Sequence, residues 1–335
     1  MILVTGGTGL VGAHLLLHLA TKGEAVRALY RNKANITKTK QIFSHFQKTQ
    51  LFDRIEWVQG CLTDVPSLED AFKGIEYVYH AAALVSFDPD DEEKLRKVNI
   101  EGTANIVNCS LAFGIKKLCF VSSIAALGDL KQGEELITEE TEWNAEKSHS
   151  DYAISKHGAE MEVWRGWQEG LDVVIVNPGV IFGYGFWQQG SNRMLHSIKN
   201  GQRYYTDGHC GIVAVEDVVA VMIQLMEAGV SGERYILVAK NMPVQKIFNL
   251  LADGMAVKKP SKLAGPALTS FAWRVDWLVS LLLSRRRKFT RAIARSSHSK
   301  EYYSNAKILT HGFQFRNMEV YLKGLATQFV QSVER

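Results

Sequence analysis

Ile2-Leu3-Val4-Thr5-Gly6-Gly7-Thr8-Gly9-Leu10-Val11-Gly12 runs a short apolar β-segment into spaced glycines, then into a helical pattern that continues to Thr21. Glycine lets the backbone turn sharply and approach a pyrophosphate, while a helix N-terminus presents free N–H groups to its charge. The spacing is G-x-x-G-x-x-G, not the G-x-G-x-x-G of the commoner dinucleotide fingerprint. Alone it is weak evidence. Placed between a strand and a helix, it reads as a dinucleotide cradle formed by Gly6, Gly9, Leu10, Val11 and Gly12, rather than a plain tight turn.

The same alternation continues outward. Ala25–Tyr30, Ile55–Gln59, Tyr77–His80, Leu118–Ser122 and Val173–Asn177 read as further strands separated by helical segments. That is the pattern of an α/β fold, a Rossmann doubly wound parallel sheet. A long connection rich in Glu and Thr, Ile124 to His149, is of a length that is usually functional or mobile. After Asn177 the pattern turns irregular around Gly179, Gly183, Gly185 and Gly190, and a strand and helix return at Ile212–Glu227, then a strand at Arg234–Val238. The expected division is a nucleotide-binding domain at 1–178 plus 212–238, and a smaller, discontinuous C-terminal substrate domain at 179–211 plus 239–335.

A chain of 335 residues, 46% hydrophobic and 22% charged, has the composition of an ordinary globular protein of about two domains. A net charge of +4 is too mild to imply nucleic acid, and no zinc-spaced or helix-turn-helix signature appears. Cys61, Cys109, Cys119 and Cys210 are scattered without a C-x-x-C pair and read as reduced thiols, mostly buried. The first strand begins at the N-terminus, leaving no room for a signal peptide, and no uncharged run reaches spanning length. A cytoplasmic protein is expected. His14 and His18 lie one helical turn apart without a third ligand nearby, so packing is preferred and no metal is expected.

Tyr152 and Lys156 lie four residues apart, on one face of a helix. A phenol is a poor proton catalyst at neutral pH, and an ammonium beside it favours the phenolate. Ser122-Ser123 precedes the tyrosine by about thirty residues. The end of the second strand, where an acid grips an NAD ribose, instead reads Tyr30-Arg31 with Lys33 close behind. An arginine fork there suits a 2′-phosphate, so NADP is favoured over NAD, against an alternative of solvated charges at a strand end.

With these motifs in place the chain resembles the extended short-chain dehydrogenase/reductase family over nearly its whole length. Further markers are Cys61-Leu62-Thr63-Asp64, His80-Ala81-Ala82-Ala83, Asn99-Ile100-Glu101-Gly102-Thr103-Ala104-Asn105 and Asn177-Pro178-Gly179. The resemblance implies that Asp64 holds the adenine amino group, Ala81 and Ala82 line the cofactor, and Lys156 binds the nicotinamide ribose. It implies that Pro178 faces the nicotinamide, Ser123 is the catalytic hydroxyl, and Asn99 helps relay protons. It also implies pairing into a homodimer through helices such as Glu93–Phe113 and Asp151–Glu169.

Within the family, sugar dehydratases carry two acids just after the catalytic hydroxyl, where this chain has Ile124 and Ala125. Nucleotide-sugar epimerases place an Asn shortly after the position of Pro178, where this chain reads Gly179-Val180-Ile181-Phe182. The remaining resemblance is to the dihydroflavonol reductase and 3β-hydroxysteroid dehydrogenase branch. It implies hydride transfer between the nicotinamide and a ketone, aldehyde or secondary alcohol, with Tyr152 as general acid/base and a small, apolar substrate. Phe182, Phe186, Trp187, Tyr204 and Tyr205 are candidates for the pocket, or equally for plain core. A nucleotide-sugar epimerase and a non-catalytic NADP-binding regulator or assembly factor are the alternatives.

One segment stands apart. Phe271 to Leu283, bearing Trp273 and Trp277, runs into Arg285-Arg286-Arg287-Lys288, Arg291 and Arg295. It reads either as a lid helix with a solvated basic flank, the preferred reading, or as a peripheral membrane contact through 271–295.

Overall fold

In a computed structural model of the chain, which describes residues 1–333, the opening strand lies near the middle of a seven-stranded, all-parallel sheet. Its strands are β1 (Ile2–Thr5), β2 (Val26–Tyr30), β3 (Glu56–Gln59), β4 (Tyr77–His80), β5 (Lys117–Val121), β6 (Val173–Pro178) and β10 (Glu233–Leu237). The order is β10-β6-β5-β4-β1-β2-β3. Chain direction across the sheet reverses between β1 and β4, and the crevice above such a switch point is where doubly wound sheets bind ligands.

Strand alternation sorts the core into two layers. Leu118 and Phe120 of β5 and Val173 and Ile175 of β6 point to one face. There they meet α4 (Val65–Phe72), α6 (Gly102–Ala112) and α7 (Asp151–Gln168). Their neighbours Cys119, Val121, Val174 and Val176 point to the other face. That face is covered by α1 (Leu10–Lys22), α2 (Ile36–His45), α3 (Thr49–Phe52) and α9 (Val215–Glu227). Each fully buried Val, Leu, Ile or Phe in these layers contributes about 1.5–3 kcal/mol.

A second layer system packs beside the sheet. Strands β7 (Val180–Phe182), β9 (His209–Ala214) and β11 (Lys240–Pro243) form a three-stranded sheet in the order β11-β9-β7. It shares a core with α8 (Arg193–Lys199), α10 (Val244–Met255) and α14 (Met318–Val333). Short strands β8 (Tyr204–Tyr205) and β12 (Lys262–Leu263) pair separately. Helices α11 (Pro266–Leu282), α12 (Arg291–Ser296) and α13 (Ala306–Leu309) complete this part. The chain passes from the small sheet back to the large one at the β9–α9 junction.

Two segments differ from their sequence reading. The expected continuous helix from Glu93 to Phe113 is broken into α5 (Glu92–Leu95), a π-turn at Arg96–Glu101 and α6. The long connection after Ile124 is pinned rather than loose. Ile137 exchanges backbone bonds of 2.8 Å with Tyr302 and Ser304, and the Glu139 carboxylate accepts the Ile236 N–H at 2.8 Å. All four cysteines are free thiols, and burial pushes Cys119 up to about 12 and Cys210 up to about 11.

Candidate active site

The glycines of the cradle are placed by close approach. Gly6 has φ +72°, and a Cβ there would lie 2.7 Å from the Ala81 carbonyl carbon and the Ala82 nitrogen. A Cβ on Gly12 would strike the Gly6 carbonyl. Helix α1 starts with Gly9 as N-cap and no side chain bonded to its first turn. The N–H groups of Leu10, Val11 and Gly12 are therefore left for an anion. These features fit a dinucleotide pyrophosphate, which the free N–H groups would hold while the bare glycines let the turn close against β4 and α1.

The cradle is locked to β4 by a buried relay. Ala82 N–H donates to Thr5 Oγ1 at 3.2 Å, and Thr5 Oγ1 meets His80 Nδ1 at 2.7 Å. His80 Nε2 meets Thr103 Oγ1 at 3.0 Å, and Thr103 donates onward to the Asn99 carbonyl at 2.6 Å. Because the Thr103 hydroxyl proton is committed to Asn99, Nε2 of His80 is the donor and Nδ1 the acceptor. Burial, reinforced by the charge of Lys156, lowers His80 to about 3, so the imidazole stays neutral at working pH.

Around this crevice, Arg31 lies exposed just past the end of β2, beside Tyr30, whose ring meets Trp57 edge-on. Asp64 is exposed at the N-cap of α4 with its carboxylate making no cap bond. Pro178 closes β6. All three stand at C-terminal ends of strands or just beyond them, on the edge that carries the cradle.

Helix α7 begins behind Ser150, whose hydroxyl accepts the Ala153 N–H at 3.1 Å. This cap brings Tyr152 to the mouth of the crevice, where its hydroxyl neighbours Ser123. Ser123 Oγ accepts the Ala125 N–H at 3.1 Å, which fixes its rotamer at the end of β5. Burial raises the Tyr152 pKa and the neighbouring Ser123 hydroxyl opposes that rise. Lys156, 1% exposed, does not depress it as expected: its ammonium donates to the Val121 carbonyl at 2.8 Å and lies 4.3 Å from the Phe120 ring centroid. Desolvation lowers Lys156 to about 7, with Glu160 opposing.

The serine pair separates into two roles. Ser122 faces away from the tyrosine and donates to Glu160 at 2.7 Å. The buried Glu160 also accepts from Asn177 at 2.9 Å and from Arg234 at 2.9 Å. Asn177 in turn donates to the Ser123 carbonyl at 3.1 Å. Asn99, in the π-turn, clasps the backbone of Leu84 through both amide atoms (2.7 and 2.9 Å) and donates to Ser155 Oγ at 2.9 Å. Both its amide protons are committed, so in this state Asn99 braces the loop rather than relaying protons.

Sequence reasoning did not find Phe87, whose ring packs 5.6 Å from that of Tyr152, nor Glu160 and Arg234, and it gave no separate role to Thr5 and Thr103. Glu160 was the most accessible of these, since it follows Lys156 by one helical turn. The proposed aromatic pocket needs correction. Phe182 belongs to the core beneath α10 and α14, and Phe186 packs on Ala13 and Ile42. Trp187 lies edge-on to Tyr184 and Phe329. Tyr204 and Tyr205 form β8, apart from the crevice strands. His14 is buried and bonds through Nε2 to the Tyr184 carbonyl at 3.0 Å.

Known proteins share the family and the fold of this chain. The sequence model of the NAD dependent epimerase/dehydratase family matches residues 2–238. Sterol demethylase protein B of Methylococcus capsulatus is 31% identical over 274 residues, which is 79% of this chain and 78% of that one. Anthocyanidin reductase of Arabidopsis thaliana is 28% identical over 272 residues, 74% of this chain and 78% of the relative. The crystal structure of gox2253 superposes with a TM-score of 0.80 at 26% identity, covering 99% of this chain and 98% of its own.

Proposed function

The chain belongs to the NAD dependent epimerase/dehydratase family and is an NAD(P)-dependent oxidoreductase, and from that premise we propose that it reduces a carbonyl group on a small apolar substrate. The observation that carries this reading is the gathering of Tyr152, the rotamer-fixed Ser123 and a buried Lys156 at the crevice mouth. When bound, the nicotinamide supplies or accepts the hydride. Ser123 holds the substrate oxygen, and Tyr152 gives it a proton as negative charge develops there. Lys156, with a pKa of about 7, can release a proton at neutral pH and so recharge the phenol, and it would donate to the nicotinamide ribose when the cofactor is bound. Asn99 acts as a positioning residue through Leu84 and Ser155. Arg31 would hold the 2′-phosphate of NADP, while Asp64, Ala81, Ala82 and Pro178 would line the rest of the cofactor.

The loop that follows β4 favours an apolar substrate, because it presents Val85 and Phe87 to solvent and packs Phe87 against Tyr152. Ile124 and Ala125 form a short 3₁₀ turn after Ser123 and offer no acid for dehydration. NADPH oxidation should be followed against a panel of ketones and aldehydes. Tyr152→Phe is expected to cut turnover roughly 10²- to 10⁴-fold while NADPH binding persists. Turnover that survives the substitution would refute the assignment. NADP binding without turnover on any carbonyl would instead favour a regulator.

A further inference from the structure

Helix α11 is built inside out. Its buried residues are Thr269 and Ser280, whereas Phe271 is 66% exposed, Leu281 65%, Leu282 73% and Leu283, just past its end, 67%. A lid helix packed on its own protein would bury that face, and a solvated helix would not carry it. Between residues 266 and 300 there are eight Lys or Arg and a single acid, Asp276. Asp276 is consumed internally by Arg285 at 2.6 Å and by the N–H groups of Lys288 and Phe289. Arg274, Lys288, Arg291 and Arg295 have no carboxylate partner among the described residues and are exposed. No helix among the described residues is long and apolar enough to cross a membrane.

The same segment is tied to the active site. Arg286 pairs with Asp91 at 2.5 Å and Arg287 approaches Asp90 at 3.7 Å. Asp91 also receives the Ser86 hydroxyl at 2.7 Å, and the next residue is Phe87, which packs on Tyr152. The basic turn after α11 is thus joined to the loop that walls the crevice mouth.

We propose that the exposed face of α11 and the basic residues beside it dock on the surface of a bilayer carrying anionic headgroups, setting the active-site mouth against the membrane. Exposed Leu, Phe and Trp beside unneutralised Lys and Arg match the apolar boundary and the negative headgroups of such a surface. A second copy of the chain is a poorer occupant. A two-fold contact through this face would bring the two basic rims together. The proposal is independent of which carbonyl is reduced.

The test is sedimentation of the full chain with phosphatidylcholine vesicles, with and without phosphatidylglycerol, at low and high salt. Binding is expected with the anionic vesicles at low salt, weakened by salt, together with a blue shift of tryptophan emission. Leu281→Asp/Leu282→Asp should abolish it. Arg291→Ala/Arg295→Ala should weaken it roughly thirty-fold, about fivefold per charge. Retained NADPH binding by both variants certifies their folding. Absence of binding to anionic vesicles would overturn the proposal. So would self-association that Leu281→Asp/Leu282→Asp removes while vesicles bind neither protein.

Discussion

Lys156→Met should make this protein more stable while destroying its activity, and the gain should depend on pH in a calculable way. The ammonium is 1% exposed, and burial brings its pKa from 10.5 down to about 7. A change of that size corresponds to roughly 4–5 kcal/mol of unfavourable burial, at about 1.4 kcal/mol per pH unit. Methionine has nearly the same length and carries no charge. Its introduction also removes a donor from the Val121 carbonyl, at about 1–3 kcal/mol. A net gain of roughly 1–4 kcal/mol remains at about pH 6.

The sign follows from proton counting. Between about pH 7 and 10.5 the unfolded lysine holds a proton that the folded lysine has lost, so wild-type stability rises with pH across that window. Below it both states are charged and the full cost is present. Above it neither is charged and the cost disappears. Urea unfolding of both proteins without nucleotide, at about pH 6, 8 and 10, reads this directly. The methionine variant should lead at the lowest pH and lose its advantage at the highest. A constant difference, or a variant less stable at pH 6, would refute the reasoning. Confirmation would identify a site that holds a strained charge for its chemistry at the expense of stability.

Arg31→Ala should weaken NADPH binding roughly 10- to 100-fold, the loss of a charge-assisted bond, and leave NADH unchanged in fluorescence titrations. Equal losses for both cofactors would remove Arg31 from the 2′-phosphate. Gly6→Ala should abolish binding of either nucleotide, because its Cβ meets backbone at 2.7 Å. Gly23→Ala, also left-handed but with nothing within 4 Å, should cost only about 1 kcal/mol in thermal unfolding and spare binding. Glu160→Ala leaves the Arg234 guanidinium without its buried partner. It should destabilise by about 3–5 kcal/mol in urea, and a loss under 1 kcal/mol would show the network to be dispensable.

The legible parts of this protein were those whose physics is local. A strand that alternates faces, a glycine that admits no Cβ, and two side chains one helical turn apart announce themselves within a few residues, and the sheet, cradle and Tyr152 were readable on that basis. What stayed hidden depends on distant partners. Glu160 draws on Ser122, Asn177 and Arg234, which lie 38, 17 and 74 residues away, and nothing in the helix around it specifies them. The phenol and the lysine lie one helical turn apart, yet their pKa values follow from burial, so the expected direction for Tyr152 was reversed. Apolar periodicity has the same blind spot. Phe182 read equally as pocket wall or core and is core, while α11, read by preference as a lid, keeps its leucines in solvent. Periodicity says that a face is apolar but not what it meets. For Phe182 the structure supplies α10 and α14; for the exposed leucines of α11 it supplies no such cover, and exposed basic residues follow in the chain, which is why the missing surface is best sought outside the chain.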